Sequence, residues 1–275
     1  MISTDNNPME RIGLIAGNRK LPIIFSQAAK KRNYYIVAVA IKGDTSRKLK
    51  KFVDKIYWIG LSEFRRCLEI FKAEGITKVV MAGQITPWRL FNKEIDRDQE
   101  LRSLLANIRD KKADTIFGMI AEKLKESGLE LLNSTTFIEE LLVKKGTLTE
   151  KEPGAEEWED IYFGLDLAKA VANLDIGQTV AVKKKAIVAV EALEGTDNLI
   201  RRAGRIAREG ITIVKVSKPK QDLRFDIPVV GLNTVKNLIR VGARCLAIEA
   251  EKTLFIDKEQ SIKLADQRGI SIVAI

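Results

Sequence analysis

The residues best suited to chemistry lie in the segment from Lys218 to Pro228, KPKQDLRFDIP. Run as an extended strand, it sets Lys218, Lys220, Asp222, Arg224 and Asp226 on one face and Gln221, Leu223, Phe225 and Ile227 on the other. Such a charged comb can hold a divalent cation through a carboxylate while its Arg and Lys neutralise phosphate oxygens. Cleavage of a phosphoanhydride needs this where no imidazole is on hand. The chain has no histidine, which removes imidazole-based triads and imidazole metal ligands and leaves Asp, Glu, Lys, Ser, Thr, Tyr and Cys. On a straight strand Asp222 and Asp226 stand about 13 Å apart, too far to chelate one ion. Either the segment bends, or one aspartate alone is the ligand. Asp226, close ahead of the restrictive Pro228, is the expected one. A self-paired charged edge exposed to solvent has the same composition.

A second cluster, Glu191 to Asp197 (EALEGTD), ends an apolar run and leads straight into a helix. Glu194, Gly195, Thr196 and Asp197 there are candidate substrate contacts, while Thr196 or Asp197 as a plain N-cap is the simpler role. Arg201 and Arg202 fall in the first turns, where the helix dipole disfavours cations, and a bound anion would relieve that conflict. Arg201, Arg205 and Arg208 share one helical face, as a solvated arginine stripe also would.

Two glycine-bearing loops follow strand-like runs in the first half. The first, Ala16 to Pro22 (AGNRKLP), offers backbone N–H groups and a helix start to a phosphate or a sugar, with Gly17 and Asn18 as the candidate contacts. It lacks GxGxxG, and no Asp or Glu occurs from residue 11 to 43 to hold a ribose, so NAD is disfavoured. A Walker A loop is also missing. A tight turn with Arg19 and Lys20 in solvent is the alternative. The second loop, Gly83, Gln84, Ile85, Thr86, Pro87 and Trp88, would meet the first at one edge of a parallel sheet, with Gly83 and Gln84 near a ligand and Trp88 packing.

The elements that must position these groups read as α/β throughout. Strands are expected over 11–16, 35–41, 55–59 and 78–82, and helices over 22–32, 62–74, 96–109 and 114–125. Thr136 with Glu139 resembles a capping box. The acidic stretch 149–160 reads as a surface loop ahead of a helix over 161–173. A hairpin of 179–182 and 186–192 follows, and then helices over 198–208, 234–244 and 257–268 alternate with strands over 211–216, 245–249 and 271–275. The expected architecture is an N-terminal Rossmann-like parallel sheet in 1–134 and a second α/β domain in 135–275 that carries the main catalytic motifs.

At 275 residues, with 45% apolar side chains, the chain is long enough for two cores and is not disordered. No run of about twenty apolar residues suggests a span and no leader pattern opens the chain, so a cytoplasmic location is expected. Cys67 and Cys245 read as separate buried thiols. Lys and Arg number 47 against 37 Asp and Glu, a formal +10. Residues 1–50 carry ten basic and three acidic groups (+7), 201–250 eleven and four (+7), and 151–200 five and ten (−5). The basic stretches suit nucleotide phosphates or an anionic bilayer. A nucleic-acid partner is not expected, because helix-turn-helix punctuation, zinc-finger cysteines and RNP-like strands are missing.

The order of AGNRKLP (16–22), MAGQITP (81–87), LLNSTTFIEELL (131–142), VEALEGTDNLIRRAG (190–204) and KPKQDLRFDIPVVG (218–231) resembles the LpxI type of UDP-2,3-diacylglucosamine pyrophosphatase over nearly the whole chain. The resemblance implies a Mg²⁺-dependent homodimer, cytoplasmic and peripheral to the inner membrane, acting in lipid A biosynthesis. It further implies that two domains grip a UDP-linked diacylglucosamine between them. Water would attack the α-phosphorus, giving UMP and 2,3-diacylglucosamine 1-phosphate (lipid X). The family's essential aspartate in an RFD motif falls on Asp226, as catalytic residue and metal ligand. Asp222, Arg224, Gln221, Glu194, Thr196 and Asp197 lie inside matching motifs. The family's first loop usually has a second glycine where this chain has Arg19. Another nucleotide-sugar enzyme, or a silent nucleotide-lipid binding protein, is the alternative reading.

Overall fold

The computed structural model describes residues 9–86, Arg89 and 113–275. The helix expected over 96–109 and Trp88 lie outside the described residues. The chain divides into two compact units, one of Met1–Ile138 with Leu223–Phe225, the other of Glu139–Asp222 with Asp226–Ile275.

In the first unit the elements run β1 (Arg11–Ala16), α1 (Leu21–Lys31), β2 (Tyr35–Ile41), β3 (Lys55–Ile59), α2 (Phe64–Ala73), β4 (Lys78–Ala82), α3 (Ala113–Glu126) and β5 (Glu130–Leu132). The five strands form one parallel sheet in the order β3-β2-β1-β4-β5. This doubly wound order brings the loops after β1 and β4 side by side at the carboxyl edge. YIVAVAI in β2 is almost wholly buried, as a strand covered on both faces must be. Val37, Val39 and Val79 pack with Phe64, Cys67 and Phe71 of α2 and with Leu124 of α3. Pro22 sits in the first turn of α1, where its missing N–H costs no helical bond. The expected capping box at Thr136 does not open a long helix. The chain makes turns there and then a short 3₁₀ turn at Glu139–Leu141.

In the second unit the elements are β6 (Gly146–Thr147), α4 (Ala155–Asn173), β7 (Thr179–Lys183), β8 (Ala186–Val190), α5 (Thr196–Ala207), β9 (Thr212–Lys215), β10 (Val229–Val230), α6 (Leu232–Arg240), β11 (Cys245–Ile248), β12 (Leu254–Phe255), α7 (Lys258–Asp266) and β13 (Ser271–Ala274). Six strands form a sheet in the order β6-β13-β11-β9-β7-β8, with β13, β11 and β9 mutually parallel and β6, β7 and β8 antiparallel to their neighbours. Alternate residues face opposite layers. Ala181, Ile213, Leu246 and Ile272 meet Leu199 and Ala203 of α5 and Leu238 of α6. Val180, Val214, Cys245 and Val273 meet Ile161, Ala168 and Ala172 of α4.

The acidic stretch expected as a loop to residue 160 is helical from Ala155 onward, so α4 starts six residues early. Glu156 and Glu157 lie in its first turn, where carboxylates suit the positive end of the dipole. Asp160 is buried and accepts the N–H groups of Lys184 (3.1 Å) and Lys185 (2.6 Å). Those lysines form the expected β7–β8 hairpin turn with φ of 50° and 57°, a left-handed pair usually left to Asn and Gly. The Asp160 carboxylate holds them there.

Candidate active site

The segment from 216 to 228 is not an extended comb. Asp226 N–H donates to the Asp222 carbonyl at 3.0 Å, so the backbone bends over between the two aspartates. Gln221 closes the bend: its Oε1 accepts from Lys218 N–H (2.6 Å) and its Nε2 donates to the Asp226 carbonyl (2.5 Å). Period-two alternation could not register these side-chain-to-backbone bonds, which replace the ladder a strand would need. The five charges accordingly part company. Lys218 is buried and Lys220 exposed, while Arg224 groups with the first unit, its carbonyl accepting from Ser134 Oγ at 2.9 Å. Its guanidinium lies 5.9 Å over the Phe225 ring.

Glu249, at the end of β11, anchors the start of this bend. Ser217 donates to its Oε2 through both N–H and Oγ at 2.8 Å, Lys169 Nζ reaches the same oxygen at 2.5 Å, and Lys252 Nζ reaches Oε1 at 2.8 Å. Lys169 also donates to the Ser217 carbonyl (3.1 Å).

The Asp226 carboxylate is met by two donors on one oxygen. Oδ2 accepts from Lys218 Nζ at 2.9 Å and from Gln178 Nε2 at 3.0 Å. Lys218 Nζ has a second carboxylate partner, Asp175 Oδ1, at 2.5 Å. Asp226 Oδ1 has no partner among the described residues. Behind this group a polar chain runs into the unit. Gln178 N–H donates to Glu191 Oε2 (3.3 Å), Thr196 Oγ donates to Glu191 Oε1 (2.9 Å), and Lys215 Nζ donates to Thr196 Oγ (2.9 Å). Lys215 and Glu191 are both buried. Asp175, Gln178 and Lys215 were not among the residues singled out from sequence. The lone lysine in the apolar run ITIVKV was the one available signal, since Asp175 and Gln178 stand some forty residues before Lys218 without a shared motif.

At the start of α5 the expected substrate contacts are taken by the protein itself. Gly195, with φ 80°, is the N-cap and no side chain caps the helix, so neither Thr196 nor Asp197 has that role. Asp197 accepts from Asn233 Nδ2 (2.6 Å) and Thr234 Oγ (3.2 Å), tying α5 to α6. Glu194 accepts from Arg202 (2.5 Å) and from Ala192 N–H (3.0 Å), and Arg202 also donates to the Val190 carbonyl (2.7 Å). Arg201 binds the Asn198 side chain and Asn237 Oδ1 (3.3 Å). Glu194 thus meets the charge of Arg202, while Arg201 is held by the neutral amide oxygens of Asn198 and Asn237.

In the first unit the two glycine loops are joined backbone to backbone. Gly17 N–H donates to the Ala82 carbonyl and Asn18 N–H to the Gln84 carbonyl, each at 2.8 Å. A Cβ on Gly17 would lie 2.7 Å from the Gln84 carbonyl oxygen, and one on Gly83, at φ 89°, 2.5 Å from the Asn18 carbonyl oxygen. Loop-to-loop contact therefore fixes both glycines. Arg19, where the resembling family has glycine, takes the left-handed φ of 66° itself. Asn18 Nδ2 donates to Thr86 Oγ (3.2 Å) and Asp44 Oδ1 (3.4 Å), and the fully buried Asp44 carboxylate pairs with Arg89 at 2.7 Å. Asp44 and Arg89 were likewise unmarked by sequence, and Thr86 stood only as a member of the second loop.

Nucleophilic thiol chemistry does not fit this protein: burial pushes the Cys67 and Cys245 thiols up to about 12. The described residues include no group of three or more His, Cys, Asp or Glu that could cage a metal ion. Asp226 does fit the other common arrangement, in which Mg²⁺ takes one or two carboxylates and completes its shell with water and substrate phosphates.

Glu249 links the site to acid stability. Burial pushes its carboxyl up, but the hydrogen bonds from Lys169, Lys252 and Ser217 outweigh this and hold it down at about 2, against an ordinary 4.5. A depressed folded-state value stabilises above the ordinary value and is lost as pH falls through the folded one. Thermal melts should therefore show Glu249→Gln well below the wild type at pH 7, with the gap closing between pH 4.5 and 2. A gap independent of pH would contradict the anchoring role.

A curated relative, UDP-2,3-diacylglucosamine pyrophosphatase LpxI of Caulobacter vibrioides, is 27% identical over 277 residues, covering 97% of this chain and 98% of that protein. Among solved structures, the biotin carboxylase domain of Hydrogenobacter thermophilus 2-oxoglutarate carboxylase overlaps at a TM-score of 0.30 and 14% identity, covering 72% of this chain and 42% of that one. N5-carboxyaminoimidazole ribonucleotide synthetase from Thermotoga maritima overlaps at 0.24 and 19%, covering 68% and 43%. Overlaps this weak bear on neither fold nor function. The LpxI N-terminal domain matches residues 11–141 and the LpxI C-terminal domain residues 144–273, and the chain therefore belongs to the LpxI family.

Proposed function

We propose that this chain hydrolyses the diphosphate of UDP-2,3-diacylglucosamine at the α-phosphorus, giving UMP and 2,3-diacylglucosamine 1-phosphate for lipid A biosynthesis. The observation that carries this reading is the Asp226 carboxylate, held on one oxygen by Lys218 and Gln178 and open on the other, in a chain that matches both LpxI halves. Without histidine and with inert thiols, the chemistry rests on carboxylate and cation. Asp226 orients the attacking water or carries the metal. Lys218 offsets the charge that builds on the diphosphate oxygens, with Lys220 as a further cation. Gln221 fixes the bend from which Asp226 projects. Mg²⁺, held through Asp226 Oδ1 and the substrate's phosphates, would supply Lewis-acid stabilisation of the same charge.

A diacylated substrate resides in a bilayer, and no helix among the described residues is long and apolar enough to cross one. Peripheral attachment through basic surface is our reading of how the two meet. Lys30, Lys31 and Lys51 line one cavity of about 390 Å³ with Phe52, and Arg47, Lys48 and Lys50 share the adjoining 3₁₀ turn. Binding to vesicles containing anionic phospholipid should weaken steeply between 0.05 and 0.5 M salt, roughly as Debye screening dictates. Salt-independent binding would contradict it.

For the catalytic reading, Asp226→Ala should keep its circular dichroism spectrum and lose on the order of 10³-fold in UMP release, followed chromatographically with Mg²⁺ present. Turnover close to the wild type in that variant would remove the site.

A further inference from the structure

Asp175 is a residue that the reaction, as described so far, does not use. It follows the C-cap of α4 and holds a left-handed φ of 56°, a conformation that few residues other than glycine adopt and that Asp tolerates. Its Oδ1 sits 2.5 Å from Lys218 Nζ, against 2.9 Å from the same nitrogen to Asp226 Oδ2. Its Oδ2 is buried and has no hydrogen-bond partner among the described residues. A buried carboxylate oxygen without a donor is costly and calls for a reason.

The charge count supplies one. The Lys218 side chain is 9% exposed, so its ammonium depends on neighbouring carboxylates, Asp175 and Asp226 among them. With Asp226 alone, Lys218 would form a neutral pair and the carboxylate would present no net charge to a divalent cation. Asp175 brings these three groups to one net negative charge, and it gives the ammonium a second place to rest, next to an oxygen with a vacant acceptor site.

We propose that Asp175 is a positioning residue of this active site: it draws the Lys218 ammonium toward itself, so that the Asp226 carboxylate can accept a divalent cation. The inference rests on the reading of Asp226 as the metal-binding carboxylate. Asp175 acts through Lys218 and touches no reacting atom. Lys218 in turn is an internal competitor for the cation site.

The test is Mn²⁺ binding to the full chain, read from the electron paramagnetic resonance signal of free Mn²⁺, beside kcat and KM for UMP release. Asp175→Asn keeps the shape, and Asn suits a left-handed backbone. It should weaken Mn²⁺ binding on the order of tenfold and lower kcat with KM nearly unchanged. Adding Lys218→Met should restore Mn²⁺ affinity to at least the wild-type level, because the competing ammonium is gone. Lys218→Met alone should bind Mn²⁺ more tightly than the wild type, a result independent of how well Asp175→Asn folds. Wild-type affinity in Asp175→Asn, no restoration in the double variant, or weaker binding in Lys218→Met would each overturn the inference. Asp226→Ala separates the two levels. If it abolishes Mn²⁺ binding while Asp175→Asn leaves binding intact, only the role of Asp175 falls. If it binds Mn²⁺ as the wild type does, the metal reading of Asp226 falls and takes this inference with it.

Discussion

A buried lysine must be given its counter-charges, and the arrangement around Lys218 follows from that constraint. An ammonium removed from water is tolerated only when carboxylates and hydrogen bonds replace its hydration. Here Asp175, from the end of α4, and Asp226, from the end of a bent loop, converge on it. Satisfying Lys218 therefore fixes where Asp226 points. Gln221 and Glu249 hold the backbone on either side, so the Asp226 carboxylate is set by the fold's own polar bonds. In the proposed reaction, preorganisation of this kind would lower the barrier without rearrangement.

The same logic extends inward. Gln178 donates to Asp226 through its side chain and to Glu191 through its backbone, and Glu191 connects through Thr196 to Lys215. Each buried polar group in this series has its partner, which makes the row stiff. Across the sheet, the apolar faces of β7, β9 and β11 meet helices on both sides and hold the strands whose ends carry these groups. In the first unit a comparable economy joins the β1 and β4 loops, where Asn18, Asp44, Thr86 and Arg89 share one network.

Much of the fold was legible from residue pattern. The runs at Tyr35–Ile41, Lys55–Ile59 and Lys78–Ala82 appear as strands at the expected residues, because buried parallel strands write themselves as unbroken β-branched and apolar stretches. The pairs Gly146–Thr147, Val229–Val230 and Leu254–Phe255 escaped notice, being too short to show a period. The early start of α4 was hidden because acidic composition reads as loop, although the same carboxylates suit a helix N-terminus. The segment from Lys218 to Pro228 stands out by composition, but its shape stays open between an extended strand and a bend. Alternation alone cannot choose the bend, because Gln221 bonds to backbone at both ends of it. Asp175 and Gln178 were invisible for a different reason, since only the folded chain brings them to Asp226.

The most direct test of the central claim, that Asp226 in its bent loop meets the reacting phosphorus, is a crystal structure of the wild-type protein with Mn²⁺ and a non-hydrolysable UDP-diacylglucosamine analogue, its metal located by anomalous scattering. The account predicts Mn²⁺ bound directly by the Asp226 carboxylate and by an oxygen of the α-phosphoryl group, with Lys218 beside the diphosphate. A metal ligated elsewhere, or an α-phosphoryl group remote from Asp226, would contradict it.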